Sequence, residues 1–437
     1  MTKVDMEAVD DVRRRLAVEV PAGDVTAEIE RAYEALRRRA RVPGFRPGRA
    51  PRAVLEQLYG EQVRADVFGR LVQESFADAV RTQNLQPVSA PQIVTESAAP
   101  GAPLRYSATV EVRPTITVAN YTGLPAERPM RTIDDGDVER FITTLRERRA
   151  TLRPISDRVV AQRGDIGTLD YEARVAGRLV GKGDQRLVEI GPDPADGPGA
   201  RLEGVRVGEA TTFEVPYPAD HENAELAGQT VTFHATVTAL AQRDVPPLDE
   251  AFAVQAQFAS VEELRQRVRE QLEAAMQREA DAAVRASLVT RLVGAHEFEV
   301  PSAMIERRAA VMAEEVLEEL GPRRPPASRE ADVRAHLQRD LHEQARNQVK
   351  AALILDAVAE QEHLTVDDDA IDAHVDRLAE SAGRSRDRVR ALYQDAGARA
   401  GLRMRLLQDR ALELLVERAV ITNVERPSGV AGVPGNG

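Results

Sequence analysis

The residues best placed to do chemistry lie between Arg41 and Pro51, where the chain reads Arg-Val-Pro-Gly-Phe-Arg-Pro-Gly-Arg-Ala-Pro. One aromatic residue stands there among two glycines, three prolines and three arginines. Glycine supplies φ > 0 and proline fixes φ near −65°, so no helix or strand runs through the stretch and a short, stiff loop is expected. Such a loop holds Phe45 and Arg46 in solvent with little ordering cost on binding. Eight arginines fall between Arg31 and Arg52, against one acid, Glu34. The chemistry on offer is recognition: a basic tip that docks on something anionic, with nucleic acid or a nucleoprotein surface first among the candidates.

Metal and covalent chemistry are poorly provided for. The seven histidines (His221, His234, His296, His336, His342, His363 and His374) form no His-x-x-x-His pair, and there is no cysteine. No metal site and no disulfide are therefore expected. The chain carries no Gly-x-Gly-x-x-Gly, Walker or Gly-x-Ser-x-Gly pattern. ATP-driven chemistry and a bound cofactor are not expected. If such a protein acts on unfolded chains, it must do so by equilibrium binding.

The loop needs rigid elements on either side. Arg13–Pro21 reads as a strand, and Asp24 is expected to cap a helix through about Arg41, with Val25, Ile29, Ala32, Tyr33 and Leu36 on one face. A second helix is expected from Pro51 and a third over about Arg64–Thr82. Pro91–Val94 and Leu104–Val112 read as closing strands, the latter alternating apolar and polar residues. The loop then sits at the tip of a helix–loop–helix. Residues 118–156 form a connector with an Asp/Gly-rich helix start at Asp134–Asp137. Residues 157–243 read as short strands and turns: Asp165–Ala173, Thr211–Tyr217 and Val231–Leu240, with dense Gly/Pro punctuation from Gly177 to Gly208. From Val245 nearly everything is helical. Ser260 and Glu263 form a capping box. Helices are expected from there to Gly294, over Pro301–Gly321, and roughly over 329–362, 367–380, 385–395 and 398–418. The tail 426–437 is Pro/Gly/Ser-rich and expected to be disordered.

Composition agrees with several domains rather than one core. The chain has 437 residues, 30% charged, 4% aromatic and no tryptophan, so its cores must come from Leu, Val, Ile and Ala. Met1–Glu7 contains no signal-like apolar run and no stretch approaches a membrane span, so a soluble, cytoplasmic protein with no membrane partner is expected. The formal net charge of −12 argues against broad nucleic-acid binding.

Gly44-Phe45-Arg46-Pro47-Gly48-Arg49-Ala50-Pro51 resembles the Gly-Phe-Arg-x-Gly-x-x-Pro signature of the trigger factor family of ribosome-associated chaperones. The order of a basic-tipped α+β head, a small β-rich domain and a long helical domain is similar to that family over nearly the whole chain. The resemblance implies an α+β multidomain protein: a ribosome-binding domain over 1–117, a connector over 118–156 packing with the helical domain, an FKBP-like domain over 157–243 and a helical chaperone domain over 244–425. It implies docking on the large ribosomal subunit near the exit tunnel through Gly44, Phe45, Arg46, Pro47, Gly48, Arg49 and Pro51. Nascent and unfolded polypeptides are the implied clients, and a homodimer off the ribosome is among the states it allows. The helical domain, with Met276, Met304, Met312 and Met404, offers an adaptable aliphatic surface for them.

The middle domain resembles FKBP-type peptidyl-prolyl isomerases at Leu169-Asp170-Tyr171, Gly204–Glu209, Val215–Pro218 and Phe233. Carried over by position, Tyr171, Tyr217 and Phe233 line an apolar pocket, with Leu226 and His221 at its rim. Such a pocket takes proline out of water and favours the twisted amide, with no nucleophile. Aromatics on alternating strands also serve as ordinary core. The sequence departs from the family at Asp196–Leu202 and at Leu179–Lys182, which implies weakened isomerase activity. A free-standing isomerase whose flanking domains recruit substrate, and a nucleic-acid-binding assembly protein using the 31–52 patch, are the alternatives.

Overall fold

A computed structural model describes residues 2–43, 45, 49–99, 101–191, 198–218, 226–321 and 324–425. The fold is α+β, in two compact units. One holds residues 1–129 and 280–424; residues 130–279 belong to the other.

The head opens with two strands, β1 (Lys3–Ala8) and β2 (Arg13–Val20), followed by helices α1 (Ala22–Arg39) and α2 (Arg52–Thr82), then strands β3 (Gln92–Ser97) and β4 (Leu104–Glu111). The strands form an antiparallel sheet in the order β1-β2-β4-β3. Period-2 alternation buries Leu16, Val18 and Val20 of β2 beside Leu104, Tyr106 and Ala108 of β4, and α1 and α2 cover them with Val25, Ile29, Tyr33, Leu55, Val63, Val67 and Leu71. The Tyr106 hydroxyl and Ser75 Oγ lie 2.8 Å apart inside this core, so neither is an unsatisfied buried polar group. Burial raises the Tyr106 phenol above its ordinary value.

Two expectations for the head are corrected. The helices expected from Pro51 and over Arg64–Thr82 are one helix of 31 residues. Gly60 sits inside it, buried, where a Cβ would lie at ordinary contact distance from the Tyr33 hydroxyl, and the apolar face of Leu55, Val63, Val67 and Leu71 carries the helix through it despite a propensity cost of about 1 kcal/mol. Asp24 is not a cap. Helix α1 starts at Ala22 after Pro21, with no side-chain capping bond, and Asp24 lies in its first turn.

Strand β5 (Pro125–Met130) leads to the second unit. Helix α3 (Asp135–Arg148) begins with a reciprocal capping box between Asp134 and Asp137. Strands β6 (Thr151–Pro154), β7 (Asp165–Val175), β8 (Arg178–Glu189), β9 (Ala210–Pro216) and β10 (Thr230–Asp244) form an antiparallel sheet. Its order is β6-β10-β7-β8, with β9 also pairing β10. Strand β8 occupies a stretch whose glycines read as turns; Gly177, with φ +83°, makes the tight turn from β7, and Gly181 and Gly183 lie within the strand. Helix α4 (Glu250–Gln255) and the first part of α5 (Val261–Ala295) close a small core with α3 through Val138, Ile142, Phe252, Leu264 and Val268.

After α5 the chain is in the first unit again. It adds α6 (Ser302–Glu319), α7 (Ala327–Asp340), α8 (His342–Gln361), α9 (Asp368–Ser381), α10 (Arg386–Leu392), α11 (Ala396–Glu417) and β11 (Val420–Glu425), which pairs with β5. The expected 329–362 helix is two helices broken at Leu341, which packs against the α6–α8 core. Met312 is itself in that core and Met304 packs against it, so neither belongs to an open surface. Val118 is buried with Leu292, Ile354, Val358, Ala411 and Leu415, tying the segment after the head into the C-terminal helices.

Candidate functional site

The Arg41–Pro51 loop joins α1 to α2. Both of its ends are held: Val42 and Ala50 are each 6% exposed and belong to the head's core. Between these anchors Phe45 is 41% exposed, its N–H donating to the Val42 carbonyl at 3.1 Å. The Pro51 carbonyl accepts from the N–H groups of Val54 and Leu55 and so starts α2. Arg49 is exposed. Gly44, Arg46, Pro47 and Gly48 lie outside the described residues.

The arginines around the loop fall into two groups. Arg31 pairs with Glu28 at 2.6 Å, and Arg52 pairs with Glu30 at 3.2 Å while lying 3.3 Å above the Tyr33 ring centroid. Of these two, Arg31 pairs within α1, while Arg52 of α2 reaches across to Glu30 and Tyr33 of α1 and helps fix the helical hairpin. Arg37, Arg38, Arg39, Arg41 and Arg49 are exposed and make no ion pair among the described residues. Three of them occupy the last turn of α1, where positive charge complements the helix dipole. They remain available to an anionic surface.

In the second unit Tyr171, Tyr217, Phe233 and Leu226 come together in one cluster. Phe233 is 6% exposed at its centre; Tyr171, Tyr217 and Leu226 are half-buried around it. Phe233 stacks on Phe213 with ring centroids 5.5 Å apart and meets Tyr171 at 5.9 Å with a 50° tilt. Phe213 was not among the residues singled out from the sequence. The signal was present: Phe213, Val215 and Tyr217 alternate along β9 and share one face, and Phe213 pairs directly with Phe233 of β10. Val180 of β8 packs on the same cluster, so the segment that departs from the FKBP pattern still supplies an apolar wall. His221 lies outside the described residues, as do residues 192–197; Leu202, at the end of the departing segment, is fully buried in the neighbouring core.

The cluster rests on a rigid base. Gly183 faces Tyr171 across the β7–β8 pair, and a Cβ there would lie 2.6 Å from the Tyr171 ring. At the start of β7, Asp165 is buried and accepts both terminal nitrogens of Arg158 together with the Gln162 N–H at 2.8 Å. The Arg158 guanidinium holds the Asp165 carboxyl below its ordinary value, against the opposing effect of burial.

The family model described as bacterial trigger factor protein matches residues 2–145, and that for the trigger factor C-terminus matches residues 260–417. The chain belongs to the trigger factor family. The trigger factor of Anaeromyxobacter sp. (strain Fw109-5) is 35% identical over 432 residues, spanning 96% of this chain and 99% of that protein. That of Geobacter metallireducens is 32% identical over 426 residues, spanning 96% and 98%. A solved structure of the trigger factor chaperone, described for promiscuous substrate recognition in folding and assembly, covers 95% of this chain and 99% of its own at 21% identity and a TM-score of 0.49. The known role of the trigger factor family is that of a ribosome-associated chaperone. Among the described residues no helix is long and apolar enough to cross a membrane.

Proposed function

We propose that this member of the trigger factor family docks on the large ribosomal subunit near the exit tunnel through the Gly44–Pro51 loop. There, without ATP, it binds nascent and unfolded polypeptides with the helical residues of 244–425. The observation that carries this reading is the exposed Phe45 held between two buried anchors and surrounded by exposed arginines with no ion-pair partner among the described residues. A segment with both ends anchored in the core loses less freedom on docking than a free one, and unpaired guanidinium groups meet phosphate oxygens without first breaking an internal pair. The cytoplasm is the compartment this work requires. Sedimentation with vacant ribosomes tests it: wild type should co-sediment and the Phe45→Ala/Arg46→Ala double variant should not, with its helix content unchanged. Co-sedimentation of the double variant at wild-type levels defeats the reading.

The aromatic cluster favours a second activity in the same molecule. Tyr171, Phe213, Tyr217 and Phe233, with Leu226 and Val180, form a half-buried apolar face of the kind that takes up proline and lowers the barrier to amide rotation by excluding water. We assign it peptidyl-prolyl cis-trans isomerase activity. A protease-coupled assay on a proline tetrapeptide checks this, with loss of turnover in Phe233→Leu as the expected result.

A further inference from the structure

The helical part of the chain carries a second basic tip. From Asp367 to Arg405 eight arginines stand against eight acids, but around the α9–α10 turn, from Arg377 to Leu392, five arginines stand against two acids, Glu380 and Asp387, in a protein whose formal net charge is −12. The ion pairs divide these arginines cleanly. Arg386 is held by Glu380, Arg390 by both oxygens of Asp376, Arg399 by Asp372 and Asp368, and Arg403 by Asp368. The paired residues knit α9, α10 and α11 together. The guanidinium groups of Arg377, Arg384, Arg388 and Arg405 have no partner among the described residues.

The turn between α9 and α10 fixes two of the four. Gly383 takes φ +60°; its N–H donates to Glu380 O, and the Arg384 N–H donates to Ala379 O at 3.0 Å, closing the end of α9. Arg384 therefore stands on a rigid corner two residues before α10. Arg388 and Leu392 lie one turn apart on the same side of α10, while Val389 points into the core. Leu392 is 67% exposed, the highest value of any large hydrophobic side chain among the described residues. Free arginines beside one protruding apolar side chain, on a capped and rigid turn, repeat the composition of the head loop in a different element.

We propose that the α9–α10 tip is a second contact site for RNA, with Arg384 and Arg388 on backbone phosphates and Leu392 against an adjoining sugar or base. Arginine binds phosphate bidentately, and the capped turn fixes the backbone positions from which the two side chains reach out. A lipid surface would call for a broad apolar face rather than a single leucine. The inference stands on this division of arginines and not on the docking role of the head loop, and the test separates the two.

Binding of a short fluorescein-labelled RNA duplex to the full-length protein is measured by anisotropy over a salt series. Four proteins are compared: wild type, Arg384→Ala/Arg388→Ala, Arg384→Lys/Arg388→Lys and the head variant Phe45→Ala/Arg46→Ala. Each phosphate neutralised contributes about 0.9 to the slope of log K against log salt, so the tip alanine variant should lose about 1.8 of slope and bind roughly tenfold more weakly at low salt. The lysine variant should keep the slope, and the head variant should keep the tip-dependent share. An unchanged slope in the tip alanine variant overturns the proposal. So does a wild-type protein that ignores RNA, or complete loss of binding in the head variant alone. Labelled polyglutamate is the competing probe: tip-dependent binding of polyglutamate without tip-dependent binding of RNA would reassign the site to acidic polypeptides. All of the substituted tip residues are exposed, and unaltered helix content in each variant keeps the comparison interpretable.

Discussion

Replacing Phe45 alone with alanine isolates the apolar share of docking from the charge around it. The side chain is 41% exposed in the free protein. An aromatic side chain offers roughly 200 Å² in an open chain, so about 80 Å² remains to be covered by a partner. At about 25 cal/mol per Å² that is about 2 kcal/mol, or roughly a 30-fold weaker dissociation constant. Phe45 is not part of the head's core, so the unfolding transition of the head should not move. Fluorescence titration of labelled protein against vacant ribosomes gives the affinity, and a urea titration followed by circular dichroism gives the stability. Leu58→Ala is the control: Leu58 is more exposed than Phe45 and lies outside the loop, so its removal should leave affinity within about twofold. Two results would refute the reasoning. One is an affinity loss below about threefold in Phe45→Ala. The other is an equal loss in Leu58→Ala, which would mean that the head binds by diffuse contact and the loop is not its anchor.

Other perturbations read the second unit. Phe233→Ala removes the ring that Phe213 and Tyr171 pack on and should cost that unit about 3 to 5 kcal/mol, with hydrogen exchange in β7, β9 and β10 accelerated and the head unaffected; a cost under about 1 kcal/mol would mean the cluster is not its core. Asp165 is held below its ordinary value by Arg158, so its carboxylate stabilises the fold fully above the unfolded value near 3.8, and this contribution disappears as pH falls through the lower native value. Asp165→Asn should therefore lose about 2 to 3 kcal/mol at neutral pH and show a flatter stability profile than wild type below pH 4, seen in urea midpoints measured across pH. Gly183→Ala places a Cβ 2.6 Å from the Tyr171 ring, which must move off the cluster at a cost of about 1 to 3 kcal/mol. Displaced Tyr171 ring resonances with weakened proline-peptide binding are expected, and unchanged resonances would show that β8 gives way instead.

The break between α1 and α2 at Arg41–Pro51 was legible because its signals are local. Glycine and proline dictate their own dihedrals, and three prolines and two glycines within Arg41–Pro51 leave no room for a continuing helix. The strands of Tyr171 and Phe233 were legible for a similar reason, since alternation is written residue by residue. What escaped depends on partners distant in the chain. The single helix over Arg52–Thr82 reads as two until its buried face is seen to run unbroken from Leu55 to Ala79 against the sheet and α1. Strand β8 reads as turns because of its glycines, and the reason for one of them, Gly183, is the Tyr171 ring of the neighbouring strand, which leaves no room for a Cβ there. Phe213 carried a period-2 signal, yet its importance follows from its register opposite Phe233, which no local pattern encodes. The pairing of β5 with β11 and the joining of residues 280–424 to the head's unit are likewise beyond local patterns.

That two-piece unit sets a timetable for the protein's own birth. The Val118 N–H donates to Gln361, 243 residues further along, and the apolar side chains of Ile116, Val118, Tyr121 and Leu124 are covered by α8, α11 and their neighbours. At roughly 5 to 20 residues per second of synthesis, those side chains wait on the order of 10 to 50 seconds for their partners to leave the ribosome. Residues 130–279 emerge as an unbroken run within that interval. During each round of translation the newborn chain thus presents the very kind of uncovered aliphatic segment that an older copy of a chaperone would bind.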